Sequence, residues 1–368
     1  MKFLLVPDSF KGSVSSEEFC IIAEKAIKKI LPDAQVLSYP ISDGGENSVE
    51  CLVRILNGRF MPCKVTDSNF FIKTVRFGVT NDIAIISVAS CAGLADAMIK
   101  NPRFTTTYGV GEQIKMAKTL GKKHVYLCLG GSSTNDAGAG MLCALGAKFY
   151  DENGIAFVPT GESLGKVRTM DLSEMYKNID GMDFTALCDV TNPLLGEKGC
   201  SRIYARQKGA NDADIELLEE NMTKYAQLTS EILGTEHDFS GSGSAGGMGY
   251  AVKAFLKGDI QSGIGFFLDS INFSVRAKDC DYIFTGEGRF DNTSIMGKVI
   301  AGIMERTKGL LAKLVVFCGK NALGHTPPPI YKVIQVSDDS LSLEENIKNT
   351  PARLAEYVEE FVEGEATI

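Results

Sequence analysis

Residues 127–140 read LCLGGSSTNDAGAG, and no other stretch constrains the fold as much. The apolar run His124-Val125-Tyr126-Leu127-Cys128-Leu129 predicts a buried strand. Gly130 and Gly131 stop it. Three hydroxyls (Ser132, Ser133, Thr134), Asn135 and Asp136 follow, and Ala137-Gly138-Ala139-Gly140 leads into a helical run over 141–145. Strand, glycine turn and helix start form the unit of an α/β fold. Such a turn lets backbone N–H groups approach an anion, and a helix N-terminus favours negative charge. Taken alone, the stretch reads more readily as an ordinary strand-to-helix loop with Asp136 as its cap.

The same alternation recurs along the chain. A strand at 3–6 meets Asp8-Ser9-Phe10-Lys11, and Ser15-x-x-Glu18 predicts a capping box for a helix to about residue 30. A strand at 35–39 stops at 40–46, before an amphipathic helix. Between 60 and 88, short β-rich runs and turns predict an antiparallel meander. Later strands at 184–188, 281–284 and 314–318 each run into polar, glycine- or proline-bracketed segments. A second glycine segment, SGSGSAGGMG, spans 240–249. Residues 352–362 predict an acidic, solvated helix. Because the alternation resumes after about residue 272, we expect one α/β domain built from 1–88 and 272–368 and a second, 89–271, inserted into it.

Net charge is -8, which argues against non-specific nucleic-acid binding and requires that any anionic ligand be met by locally focused positive charge. The ten cysteines show neither CxxC pairs nor zinc spacing and several sit in apolar runs; with no signal peptide or membrane span legible, we expect a reducing cytoplasm. Histidine occurs three times, never in a glycine-rich motif, so a carboxylate is the default general base.

Five segments after strands carry the chemistry: Asp8/Ser9/Lys11, Asp43/Glu46, Ser132/Thr134/Asn135/Asp136, Asp189/Asn192, and Glu287/Arg289/Asp291. Phosphoryl transfer needs cations on the phosphates, a carboxylate for Mg2+ and a carboxylate to orient the attacking hydroxyl. The chain supplies all three. Plainer roles exist for each: Asp8 bonded to its own turn, Asp43 as an N-cap, Lys11 and Gln207-Lys208 as solvated surface. Asp189 makes the stronger case, since a carboxylate at a buried strand end is desolvated. There is no GxxxxGK[ST] loop. Residues 241–246 match GxGxxG literally, but no clear strand precedes them, which argues against a nicotinamide enzyme.

Eight blocks together resemble the type 1 glycerate kinase family in order and spacing: PDSFKGSVSS (7–16), PISDGGENS (40–48), TTTYGVGEQI (105–114), LGGSSTNDAGAGML (129–142), CDVTNPLLGEKG (188–199), RQKGA (206–210), GSGSAGGMG (241–249) and TGEGRFDNTSIMGK (285–298). The resemblance implies ATP- and Mg2+-dependent phosphorylation of D-glycerate to 2-phosphoglycerate. It also implies a discontinuous restriction-endonuclease-like domain, an inserted flavodoxin-like domain, and an active site in the cleft between them. By the same resemblance, Asp8, Ser9 and Lys11 lie near glycerate or the transferred phosphate, with Asp43, Gly44, Gly45 and Glu46 in the second loop. Gly130, Gly131, Ser132, Ser133, Thr134, Asn135 and Asp136 form a phosphate cradle. Asp189 is the base, with Asn192, Gln207, Lys208 and Arg289 binding substrate or phosphate, and Glu287 and Asp291 are the Mg2+ candidates. The chain departs from the family pattern at Ser133, Ala137, 204–206 and 292–294, positions that bear on substrate preference without removing a charge. A kinase for a related hydroxy acid or polyol is the alternative.

Overall fold

The computed structural model describes residues 1–42, 47–236, 238–296 and 298–366. In chain order its strands are β1 (Lys2–Leu5), β2 (Gln35–Ser38), β3 (Arg59–Thr66), β4 (Ile72–Val79), β5 (Ile83–Ser87), β6 (His124–Cys128) and β7 (Lys148–Tyr150). They continue with β8 (Ala156–Phe157), β9 (Thr169–Asp171), β10 (Asp183–Leu187), β11 (Asp259–Gln261), β12 (Tyr282–Phe290), β13 (Lys313–Asn321) and β14 (Ile330–Gln335). The chain forms two compact units, Met1–Asp43 with Ile264–Ile368, and Gly44–Gly263. No described helix is long and apolar enough to cross a membrane.

The discontinuous unit holds a five-stranded sheet in the order β14-β13-β12-β1-β2, every pair parallel. Strands covered on both faces must be apolar throughout, and Phe3, Leu4, Leu5, Ile283, Phe284, Val315 and Val316 are all buried. On one face, Phe3, Phe284 and Phe317 pack with Phe19 of the helix Ser16–Ile30 and Phe361 of the helix Leu343–Ala366. Ser15 and Glu18 form the expected capping box. The last helix differs from expectation. It begins at Leu343, behind a second box in which Ser342 N donates to Glu345 Oε2 (2.9 Å) and Glu345 N donates to Ser342 Oγ (3.3 Å). It is also not simply solvated, because Leu354, Val358, Phe361 and Val362 bury one face in the core.

The middle unit holds a six-stranded sheet in the order β11-β10-β6-β5-β4-β3, with β3, β4 and β5 antiparallel and β5, β6, β10 and β11 parallel. A small sheet, β8-β7-β9, lies in the same unit. The expected meander is therefore present, but β5 pairs with β6 (Ile83↔His124 to Ser87↔Cys128), which places it in the middle unit. The first part of the discontinuous unit thus ends at Asp43 rather than 88, and its second part starts at Ile264 rather than 272. A strand belongs to the ladder it joins, and alternation alone does not reveal that partner.

The two α/β domains are present as expected, but the flavodoxin strand order lies in the discontinuous unit rather than the inserted one. With the discontinuous unit's strands counted in chain order, its sheet runs 2-1-3-4-5, the flavodoxin order, whereas the middle unit carries the antiparallel meander.

Candidate active site

In the middle unit, the loop after β6 turns inward. Ser133, Thr134, Asn135 and Asp136 are all but fully buried, and Ser132 nearly so. Gly131 takes a φ of +74°, which reverses the chain without a Cβ penalty. Ser133 Oγ donates to Ala92 O at 3.0 Å, and Thr105 Oγ1 donates to Ser133 O at 3.0 Å. Asp136 accepts from Thr107 N and Thr107 Oγ1 (both 2.8 Å), Gly138 N (3.1 Å) and Gly140 N (3.3 Å). Burial pushes its carboxyl above the usual range, and these four donors oppose that. The N–H groups that open the helix Ala139–Leu145 are thus engaged by the chain's own carboxylate. Thr134 Oγ1 and Asn135 Oδ1 are buried without a hydrogen-bond partner.

The second glycine segment supports this loop. Ala245, Gly246 and Gly247 take left-handed φ values inside the helix Ser244–Ala254. A Cβ on Gly246 would lie 2.0 Å from Thr134 O, so only glycine admits this approach. The literal GxGxxG is accordingly a packing element, and its N-terminal half lies outside regular helix.

Lys208 is the cation of this cluster. The sequence reading allowed it to be surface; it is 3% exposed, with Nζ donating to Ser132 Oγ (3.1 Å) and Thr134 O (2.7 Å). Burial pulls its amine down to about 8, against the fields of Cys200 and Asp136. Gly130, Gly131, Ser132, Tyr204, Gln207 and Lys208 line a cavity of about 290 Å3. Tyr204 OH donates to Asn192 Oδ1 at 2.6 Å, and Asn192 Nδ2 holds Lys198 O at 2.9 Å. Asp189, just beyond β10, is half-buried and accepts from Ser262 Oγ at 2.6 Å. Tyr204 stands out in the sequence only as a departure from the family pattern, and Ser262 not at all; a tyrosine or serine carries no local signal of a partner far along the chain.

In the discontinuous unit, the polar residues gather at the carboxyl ends of β1 and β12. Their neighbouring ladder brings Asp8 N to Gly286 O at 2.9 Å. The segment 285–291, expected as a loop, is largely strand: β12 runs to Phe290, with Glu287 opposite Cys318 and Arg289 opposite Lys320. Glycines explain the extension. A Cβ on Gly286 would lie 2.7 Å from Phe317 O, and one on Gly319 would lie 2.4 Å from Gly288 O, so the ladder closes only without side chains there.

Glu287 is the most perturbed group of this cluster. Burial raises its carboxyl to about 7 and the charge of Asp8 adds to the rise, while a hydrogen bond with Ser294 opposes it. Its Oε1 is buried with no hydrogen-bond partner. Asp291 is held low by Thr293, whose N and Oγ1 donate to Oδ1 at 2.8 and 2.7 Å, and Arg289 Nε lies 3.3 Å from Oδ2. Ser9 N donates to Asp8 Oδ1 at 2.7 Å. The Lys11 amine has no ion-pair partner among the described residues. Asp43, Gly44, Gly45 and Glu46 lie outside the described residues. No group of three His, Cys, Asp or Glu side chains poised for a metal occurs among the described residues. Mg2+ needs only one or two carboxylates when a phosphate and water complete its shell. Glu287, with an orphan oxygen beside Asp8, fits that role; Asp291, already bonded through both oxygens, fits it less well.

The sequence profile of the glycerate kinase family matches residues 3–364. The chain belongs to the glycerate kinase family. It is 39% identical over 313 residues to a glycerate kinase of Bacillus cereus (strain ATCC 10987 / NRS 248), covering 84% of this chain and 82% of the relative. The same identity and coverage hold for the glycerate 2-kinase of Escherichia coli K12. A solved structure assigned as a glycerate kinase 2, from Salmonella typhimurium LT2, superimposes with a TM-score of 0.88 at 33% identity and covers 100% of this chain and 98% of that one. As a glycerate kinase family member the chain is a phosphotransferase.

Proposed function

We propose that this protein transfers the γ-phosphoryl group of ATP to the 2-hydroxyl of D-glycerate, giving 2-phosphoglycerate, with Mg2+ as cofactor. The observation that carries the reading is the carboxylate pair at the ends of β1 and β12: Glu287 half-buried with one buried, partnerless oxygen, Asp8 close enough to raise its proton affinity, and Lys11 three residues after Asp8. A site that concentrates negative charge at a desolvated point is suited to a cation and its phosphate. Mg2+, when bound, supplies charge neutralisation on the phosphate oxygens, and Glu287 and Asp8 would hold it. The printed name of the Escherichia coli relative supports the 2-position.

In this reading Lys11 and Arg289 meet phosphate oxygens as charge-assisted donors. Asp189, steadied by Ser262, orients the glycerate hydroxyl and accepts its proton. Ser132, Gln207 and Asn192 bind substrate, with Lys208 holding the Ser132 hydroxyl in place. Asp136 acts one layer below by fixing the loop, and Ser9 and residues 43–46 complete the polar surround. Catalysis is then positioning and electrostatics, without a covalent intermediate. A cytoplasmic setting belongs to the same reading and is supported by ten cysteines that are all free thiols.

The experiment is a coupled assay of ATP consumption with purified protein, Mg2+ and D-glycerate, with phosphorus NMR of the product. Formation of 2-phosphoglycerate is the expected outcome. Formation of 3-phosphoglycerate overturns the regiochemistry, and absence of turnover overturns the acceptor.

A further inference from the structure

A second cavity, of about 430 Å3, lies wholly within the discontinuous unit, at the carboxyl ends of its parallel strands. Its position is not arbitrary. In a 2-1-3-4-5 sheet the order switches between the first and third strands, here β1 and β12, and ligands of open α/β sheets bind outside the carboxyl ends at that switch. The cavity opens beside it, with Gly288 and Gly319 presenting bare backbone.

Its lining has two characters. Phe10, Leu341 and Ile347 make an apolar wall. Lys11, Arg289 and Lys320 line the same space, the last two opposite one another on β12 and β13. Asp338 and Asp339 also line the space, but both carboxylates have partners: Asp338 takes Arg353 at 2.9 Å, and Asp339 takes Lys320 at 2.6 Å. The volume falls in the range of small-molecule sites and is far more than a three-carbon acid needs. A lining that combines apolar residues with cations matches a ligand with a flat, weakly polar body and an anionic tail.

We propose that this cavity receives the base and ribose of the nucleoside triphosphate donor, the base against Phe10, Leu341 and Ile347 and the phosphates toward Lys11 and Arg289. The proposal rests on the kinase reading for the identity of the donor and adds where that donor sits. It brings the phosphate tail to the side of Asp8 and Glu287, since Lys11 lies three residues after Asp8 and Arg289 two after Glu287 on the same strand.

The test uses the full-length protein and two variants. Leu341→Trp fills the slot. Leu343→Trp places an indole at its rim, where Leu343 is 77% exposed and carries no packing burden. The chain has no tryptophan of its own, so that indole is a unique energy donor to N-methylanthraniloyl-ADP. We expect Leu341→Trp to raise KM for ATP and Kd for the fluorescent ADP by about tenfold or more, with KM for D-glycerate within about twofold. We expect the Leu343→Trp protein to sensitise the bound nucleotide's emission and ATP to abolish it. Unchanged KM for ATP and unchanged Kd in a folded Leu341→Trp protein overturn the proposal. So does an absence of energy transfer in Leu343→Trp, which decides the matter if Leu341→Trp fails to fold. A wild-type protein that does not phosphorylate D-glycerate but binds the fluorescent ADP in a Leu341-sensitive way leaves this site standing and removes the acceptor assignment instead.

Discussion

Two polar clusters share one description in sequence, a strand followed by glycines, hydroxyls and carboxylates, yet they treat charge differently. In the middle unit the Asp136 carboxylate receives four donors and the buried Lys208 amine gives two hydrogen bonds, so that within the described loop after β6 the unmatched atoms are the neutral Thr134 Oγ1 and Asn135 Oδ1. In the discontinuous unit the atom left unmatched belongs to an ionisable carboxyl, Glu287. A buried charge that is fully hydrogen-bonded fixes a backbone, whereas one that lacks a partner stores a demand for a ligand. The lesson is that glycine-rich polar loops divide into frames and reactive sites by hydrogen-bond satisfaction.

The strongest way to break this comparison is Glu287→Gln. It should lower kcat by about 10³-fold, because the charge is needed only with ligand bound. It should not destabilise the free protein. A carboxyl raised to about 7 contributes stability that is complete below its ordinary value near 4.5 and is lost as pH rises toward and through 7. The variant's Tm should therefore lack that pH dependence and exceed the wild type's at pH 8, by the equivalent of about 1–2 kcal/mol. A fall in Tm at pH 8 would reverse the assignment of Glu287 as unsatisfied.

Asp136→Ala should behave oppositely. Stripping four buried donors of their acceptor should cost about 2–4 kcal/mol in urea unfolding, with activity lost mainly through the unfolded fraction. Asp189→Asn comes next, with kcat lower by about 10²-fold and the midpoint of unfolding unchanged. A wild-type kcat in that variant would remove Asp189 from the chemistry.

Lys208 sharpens the contrast, as a frame residue that still carries charge near the cavity. Its amine, lowered to about 8, loses its proton as pH rises through that value, so KM for the anionic substrates should climb above pH 8. In Lys208→Met that limb should vanish and KM should be raised about tenfold at pH 7. The smallest effect is expected for Ser262→Ala, about threefold in kcat, since it removes an orienting hydrogen bond from a carboxylate that stays in place.

Much of this arrangement was legible from the chain alone. The capping box at Ser15, the strand at 124–128 and the meander follow from local rules of periodicity and capping. Family motifs marked Asp8 with Lys11 and Glu287 with Arg289 as separate blocks, and the ladder of β1 with β12 makes those blocks neighbours. What escaped was decided by distant partners. The ladder from β5 to β6 moved a domain boundary, glycines at 286 and 319 turned an expected loop into strand, and the Ser342 box opened the last helix earlier than its apolar stripe suggested. The depth of Lys208 and Asp136 was hidden for the same reason, because spacing does not say which charges will be buried.

The pairing of β1 with β12 has a consequence for how the protein is made. Leu5 lies opposite Phe284, so the nascent chain releases its first strand long before the neighbour that completes the ladder. At ordinary rates of synthesis that wait is roughly 15–55 s. The middle unit, contiguous in sequence, emerges whole in the interval, whereas β1 and β2 must persist as an unfinished two-strand edge. Until β12 arrives, that edge offers unpaired backbone groups to any other strand, so the order of synthesis sets how long the discontinuous unit is exposed to mispairing.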